Sequence, residues 1–371
     1  MGAFLTLIAT CIVMFVAAMG AGMVPLHQAT LLPSLATGSM GTSASSASTS
    51  IPNLDIVQAL GAGLLISTAL AVVVPEGFHL LAAIERKAAV VAAVVAEEHH
   101  GHGHEGHESH DHYRSHGAHS DPVPHWLPGL ALSSGFFFMM ALDALSASPH
   151  QSCGGGTPAT KTTTTTTAAA ATKEGGGAAA ASPAAATAPP TSGAAASGAL
   201  RALIVHAAAD GLAVGASCAA TTSAKGSGAQ ALAWSVAAAM ALHKAPAAFG
   251  LSATLASAQW GHRRAKRGLL FFSLSSPVAA LVTFLALLIF GGGWGGGGGG
   301  SGLGVAAALL FSGGTLVHAA AVHVLPSVAP ALSLSSCDSA AAGEASTRVR
   351  YALVAGAAAP LLLSALAPHE H

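Results

Sequence analysis

Eight apolar runs alternate with polar or low-complexity stretches, and their lengths settle the class before any single residue is considered. The runs are Phe4 to Leu26, Ile56 to about Ala83, Leu127 to Leu145, Ala199 to Ala220, Ala229 to Ala258, Gly268 to Phe290, Leu303 to Leu325 and Tyr351 to Ala367. Each is long enough, or nearly so, for the roughly 20 residues that carry an α-helix across a hydrocarbon core. The pattern predicts an all-α membrane protein of eight transmembrane helices. The first run is longer than the apolar part of a secretory leader and has no basic residues before it, so it reads as a span.

The stretches between runs differ in kind. Residues 31 to 53 are rich in Ser, Thr, Pro and Gly and read as a flexible loop. Residues 97 to 125 form a His-rich loop. Residues 146 to 198 are runs of Thr, Ala, Gly and Pro with few large side chains to bury, and a disordered loop is predicted there. Gly291 to Gly300, broken by Trp294, reads as a flexible link; it has neither the following Lys nor the strand context of a phosphate-binding loop. The whole chain, residues 1 to 371, is predicted to be one transmembrane domain.

Composition narrows the function. Only 8% of residues are charged, about a third of the ~25% usual in soluble domains, and 52% are hydrophobic with a mean hydropathy of +0.60. An ordinary water-soluble enzyme is excluded. A formal charge of -1 offers no basic surface for neutralising phosphates, so no nucleic-acid partner is expected and the lipid bilayer is the partner the composition implies. Cys11, Cys153, Cys218 and Cys337 lie far apart without a CxxC pair and read as packing or loop residues.

Lys and Arg bias loops to the cytosolic side. Lys161, Lys173, Arg201, Arg263, Arg264, Lys266, Arg267, Arg348 and Arg350 fall on one side of the eight-span scheme, against Arg86, Lys87, Arg114 and Lys225 on the other. The basic cluster from His262 to Arg267 is therefore assigned to the cytosol, and both termini and the His-rich loop to the lumen or exterior.

An ionisable side chain at mid-bilayer costs roughly 2.5 to 3.5 kcal/mol on insertion scales, so such residues are functional candidates. His206 and Asp210 lie well inside span four, and His243 and Lys244 inside span five; Glu76, His79 and Asp143 lie nearer span ends; span seven holds His318 and His323. His206 and Asp210 are four apart, which on an α-helix puts both on one face about a turn apart. Imidazole with carboxylate suits zinc. A short connection makes spans four and five an antiparallel pair, which brings His243 up as a third donor. Pro246 leaves the carbonyl of Leu242 without its helical partner, so span five is expected to bend near His243. The bland alternative is that His206 and Asp210 only hydrogen-bond to each other and hold two helices together.

A protonated Lys244 cannot ligate a cation and repels one. It is expected to pair with Asp210, Asp143 or Glu76, and to leave room for one bound metal rather than two. His323 precedes Pro326 by three, as His243 precedes Pro246, and span two carries Pro75 at a matching place, a hint of internal repetition. His318 and His323 differ by five, about 140° round an α-helix, so they are not expected to face one pore together. In the outward loop ten histidines lie between His99 and His125; His99, His100, His102, His104, His107, His110 and His112 are candidates for loose capture of divalent metal.

Five segments resemble the ZIP (Zrt- and Irt-like protein) family of divalent metal transporters, and its Golgi-associated branch most. They are HAAADGLAVGA from His206 to Ala216, HKAPAAFGL from His243 to Leu251, LGAGLLISTALAVVVPEGFH from Leu60 to His79, GFFFMMALD from Gly135 to Asp143, and VHVLP from Val322 to Pro326. The resemblance implies inverted three-helix repeats around a central pair, spans four and five, with the transported ion bound between that pair by His206, Asp210 and His243. It further implies a Golgi or trans-Golgi membrane, with the plasma membrane as the alternative, and leaves room for a homodimer. Three positions depart from the family pattern: Ala207 where most members have a polar residue, Lys244 where they have an acid, and Ala247 where they have Glu. Each departure counts against a two-metal centre.

Together these readings predict transport of zinc, with manganese or iron as other cargo, toward the cytosol by alternating access. Lys244, Glu76, His79, Asp143, His318 and His323 are expected along the pathway. The ion is cargo, so no cofactor is expected, and the protein is not expected to be an enzyme. The competing classes are an intramembrane zinc-dependent hydrolase, for which no HExxH signature exists here, and a metal-sensing receptor.

Overall fold

A computed structural model describes residues 2–36, 52–100, 123–146, 192–223, 227–290, 300–333 and 340–366. These form eight helices: α1 (Gly2–Ala36), α2 (Pro52–Thr68, Ala69–Val73 and Val74–His100 in one run), α3 (Leu127–Ser146), α4 (Ser192–Ser223), α5 (Ser227–Ser257), α6 (His262–Ile289), α7 (Gly300–His318, Ala319–Val324 and Leu325–Ser333 in one run) and α8 (Ala340–Leu366). No strand occurs among the described residues. Six of the helices contain stretches long and apolar enough to cross a membrane: Gly2–Thr30, Leu54–Val90, Leu127–Ser146, Gly193–Thr222, His262–Ile289 and Gly302–Leu332. In lipid no water is present to pair backbone groups, so continuous helix is the form such segments take.

The helices overrun the apolar cores read from the sequence. α1 continues to Ala36 and α2 to His100, so His99 and His100 end a helix instead of lying in a loop. α4 starts at Ser192, inside the stretch predicted to be disordered, because the Ala-rich sequence from Gly193 to Leu200 extends a helix already nucleated by the apolar run. His102, His104, His107, His110 and His112, the rest of the His-rich tract, residues 147–191, and Cys153 and Cys337 fall outside the described residues. α5 runs as one helix through Pro246.

α4 and α5 pack on each other and the remaining helices pack around them. α4 lies against α6 and α7, and α5 against α1 and α2; α2 pairs with α8, and α3 with α7. Small residues set these distances, as packing between helices in lipid requires. A Cβ on Gly211 would fall on the carbonyl oxygen of Ser276, and one on Gly215 on that of Ala280, so this pair of glycines one turn apart presses α4 onto α6. Gly135 and Gly314 do the same between α3 and α7, and Gly63 and Gly356 between α2 and α8.

Two apolar clusters fill the interior. One gathers Leu65, Leu203, Ala207, Leu251, Phe272 and Leu316; the other gathers Leu7, Met14, Val214, Val236, Met240 and Phe284. Along α4 the first cluster stops at Ala207 and the second begins at Ala213; along α5 the second stops at Met240 and the first begins at Ala247. The gap in both helices is where the polar residues stand.

Both α2 and α7 contain a π-helical segment. The amide of Val74 donates to the carbonyl of Ala69, and that of Leu325 to the carbonyl of Ala320, each an i to i+5 bond. Such bulges insert an extra residue into a turn and change which side chains share a face.

Candidate metal centre

Between the apolar clusters, α4 contributes His206 and Asp210, both wholly buried, and α5 contributes His243, 1% exposed. His243 Nε2 stands 3.0 Å from Asp210 Oδ2, and His206 Nε2 stands 3.5 Å from the same oxygen. The two imidazole centroids are 5.8 Å apart. The i,i+4 spacing places the α4 pair on one face, as expected, and the close packing of α5 on α4 supplies the third group.

What surrounds the rings decides their chemistry. Nδ1 of His243 is 2.8 Å from the carbonyl oxygen of Ala239, and Nδ1 of His206 is 3.1 Å from the carbonyl oxygen of Ser312. An imidazole that donates from Nδ1 to a carbonyl presents a lone pair on Nε2. Both Nε2 atoms face the same carboxylate oxygen, that of His243 at hydrogen-bonding distance and that of His206 with no hydrogen-bond partner. With both Nε2 atoms deprotonated, two imidazoles and one carboxylate offer three electron pairs to a single cation, the kind of ligand set zinc takes.

Lys244, also wholly buried, reaches the same carboxylate: Nζ lies 3.2 Å from Asp210 Oδ2 and donates to Ser276 Oγ at 2.7 Å. The Ser276 hydroxyl donates in turn to the carbonyl of Ala207, and the ammonium lies 4.9 Å above the Phe272 ring centre. Of the three partners considered for Lys244, the structure selects Asp210. Ser312 on α7 closes the far side, its hydroxyl donating to Asp210 Oδ1 and lying 2.9 Å from His206 Nδ1.

Ser276, Ser312 and Thr315, whose hydroxyl lies 3.4 Å from His206 Nδ1, were not singled out in the sequence. Serine and threonine are common in membrane helices and bond their own backbone, so nothing in a lone Ser inside a span separates these from Ser273 or Ser252, which do only that.

A second cluster lies between α3 and α7. Asp143 Oδ2 is 2.8 Å from His323 Nε2 and 3.6 Å from His318 Nε2. The histidine rings stand 5.6 Å apart, edge to face. This corrects the expectation that residues five apart face different ways. That expectation assumed an α-helix, whereas the segment Ala319–Val324 between them is π-helical, and its i to i+5 closure brings positions five apart onto one face. Asp143 is 27% exposed and His323 13%, so this cluster is wetter than the first.

Glu76 and His79 join neither cluster. Glu76 is half-buried on α2 within electrostatic reach of His79 and His243, and His79 is exposed. His79 and Phe78, with Val74, Pro75 and Ala82, line an open depression of about 440 Å³ beside the π segment of α2.

Comparisons with known proteins follow the same direction. A family model described as "ZIP Zinc transporter" matches residues 3–363. Zinc transporter ZIP9 of Micropogonias undulatus is 32% identical over 329 residues, covering 86% of this chain and 89% of that protein. Zinc transporter ZIP9-A of Xenopus laevis is 32% identical over 322 residues with the same coverages, and zinc transporter ZIP9 of Macaca fascicularis is 41% identical over 170 residues, 46% of this chain and 66% of that protein.

Proposed function

The chain belongs to the ZIP zinc transporter family, and from that membership we propose that it carries zinc across a membrane toward the cytosol, binding the ion at His206, Asp210 and His243. The hydrolase alternative falls with the membership, because the relatives named above are transporters. The observation that carries the site is the convergence of both Nε2 atoms on Asp210 Oδ2, with His206 Nε2 unpartnered in a buried centre.

Lys244 occupies the side of Asp210 that a second ion would need, and Ala207 and Ala247 offer no ligand there. One ion is therefore held. A fixed ammonium beside the carboxylate also weakens the grip, and a transport site must release what it binds. Asp143, His318 and His323 form a second, more exposed station on the same path, toward the cytosol in the orientation given by the basic residues.

Movement between stations is by alternating access around the α4 and α5 pair, with all eight helices spanning the bilayer. The packing supports inverted repeats of α1 to α3 and α6 to α8. Exchanging α1 with α6, α2 with α7, α3 with α8 and α4 with α5 turns the α4 and α6 contact into α5 and α1, α4 and α7 into α5 and α2, and α2 and α8 into α7 and α3; all of these pairs are present. The exchange also maps one π segment onto the other. The branch resemblance supports a Golgi or trans-Golgi membrane, with the plasma membrane as the alternative.

The test is zinc-65 uptake into proteoliposomes. Native chain is expected to load them and His206→Ala to match empty liposomes. Uptake by His206→Ala at the native rate removes the site assigned here, and no uptake by the native chain removes the transport reading.

A further inference from the structure

The turn between α5 and α6 carries a charge pattern that the transport site does not use. α5 closes with two backbone bonds, Gln259 N–H to Ala256 at 3.0 Å and Trp260 N–H to Leu255 at 3.2 Å, and Gln259 takes the left-handed conformation at φ 55°. This is the double closure of a Schellman cap, and it fixes where the chain goes next. After Gly261, α6 begins with His262, Arg263, Arg264, Ala265, Lys266 and Arg267; Ala265 is buried and the other five are exposed. The Arg264 guanidinium lies 3.8 Å above the Trp260 ring, and Trp260 is partly buried against the apolar interior.

None of these four basic side chains forms an ion pair among the described residues. Along the chain no Asp or Glu occurs between Asp210 and Asp338. Glu344, at the start of α8, is already paired with Arg348 at 2.6 Å. Among the described residues, four cations thus stand without an ionic partner beside an aromatic ring at the mouth of a long apolar helix.

We propose that Trp260, Arg263, Arg264, Lys266 and Arg267 form a binding site for the headgroup of an anionic glycerophospholipid. Each feature matches that ligand and the depth at which it is found. Tryptophan settles at the headgroup level of a bilayer, with its ring half in the apolar region. Guanidinium groups meet phosphate oxygens two at a time, and stacking on Trp260 holds Arg264 in place before the lipid arrives. Basic residues next to a membrane helix draw anionic lipid with about a fivefold gain per charge. The rigid cap holds ring and cations in one geometry, so the site differs from a mobile polybasic tail. The proposal depends on this turn alone and stands whether or not the ion site works as described.

The experiment uses full-length chain in lipid nanodiscs with Trp126, Trp234 and Trp294 replaced by Phe, leaving Trp260 as the reporter. Phosphatidylserine brominated on its acyl chain is expected to quench Trp260 more strongly than equally brominated phosphatidylcholine at the same mole fraction. The preference is expected to persist in Arg263→Lys/Arg264→Lys/Arg267→Lys and to vanish in Arg263→Ala/Arg264→Ala/Lys266→Ala/Arg267→Ala. Equal quenching by the two lipids in the native background overturns the proposal without any variant. So does a preference that survives in the alanine variant. Inorganic phosphate is expected to leave the preference intact; abolition by phosphate at millimolar concentration would reassign the cations to a free anion and end the lipid assignment.

Discussion

The two histidine and aspartate clusters hold the same side-chain types and differ in nearly everything else. Around Asp210 every group is buried, both histidines are oriented through Nδ1 by backbone carbonyls, and a lysine and a serine share the carboxylate. Around Asp143 the carboxylate is 27% exposed, and His318 Nδ1 is without a hydrogen-bond partner. The first cluster is held from all sides, as a selective site must be. The second has fewer supports and more water, which suits brief occupancy by an ion on its way out.

That contrast breaks first where the supports are strongest. Removing Asp210 in Asp210→Ala takes the oxygen shared by both imidazoles and strands the buried Lys244 ammonium, a loss of about 3 to 5 kcal/mol in stability if the charge stays uncompensated. Transport is expected to fall by roughly a hundredfold or more, measured as initial zinc-65 uptake per folded protein, with folding followed by thermal shift. Ser312→Ala leaves every ligand in place and removes only the hydroxyl that bridges Asp210 and His206. Losing a partner of this kind costs about 10 to 100-fold in metal affinity, so the zinc concentration for half-maximal uptake should rise by that much while the maximal rate changes less. An unchanged half-saturation would mean that Ser312 only fills space.

The π segment of α7 allows a test on the second cluster without touching its ligands. Inserting one alanine after Ala320 rotates His323 by about 100° relative to His318. Uptake is expected to drop severalfold, and His323→Ala to do the same, since both separate His323 from Asp143. An insertion variant that transports normally while His323→Ala does not would show that the register of α7 is irrelevant to how His323 acts.

The difference between the clusters also explains what could be read in advance. His206 and Asp210 obey the ordinary α-helical period, and a short connection announces that α5 lies beside them, so the group was legible as a set. The His323 and His318 pair was misread because the period itself changes between them, and a π segment leaves no compositional mark in Ala319–Val324 beyond a run of small residues. Lys244 was legible as an intruder but not its partner, because three carboxylates were within plausible range and only packing chooses Asp210. Helix ends were the least legible: the Ala-rich start of α4 and the Ala and Val pairs that carry α2 beyond Arg86 and Lys87 blend into their surroundings, and nothing in their residue types marks the last turn.

Within the second cluster the two histidines should not count equally. His318 Nε2 is 3.6 Å from Asp143, beyond a hydrogen bond, whereas His323 Nε2 makes one at 2.8 Å. The His318 ring instead stands edge to face with Phe136, centroids 5.0 Å apart, and with that of His323, an arrangement stabilised by packing as much as by polarity. His318→Phe keeps a ring in that place and removes only the nitrogens. Its effect on uptake is expected to be within about twofold of native, the smallest among these variants, because Asp143 retains its close contact with His323. Should His318→Phe instead match His323→Ala, the ion would have to be using both imidazoles, and the wetter cluster would work as a three-ligand site like the one proposed at Asp210.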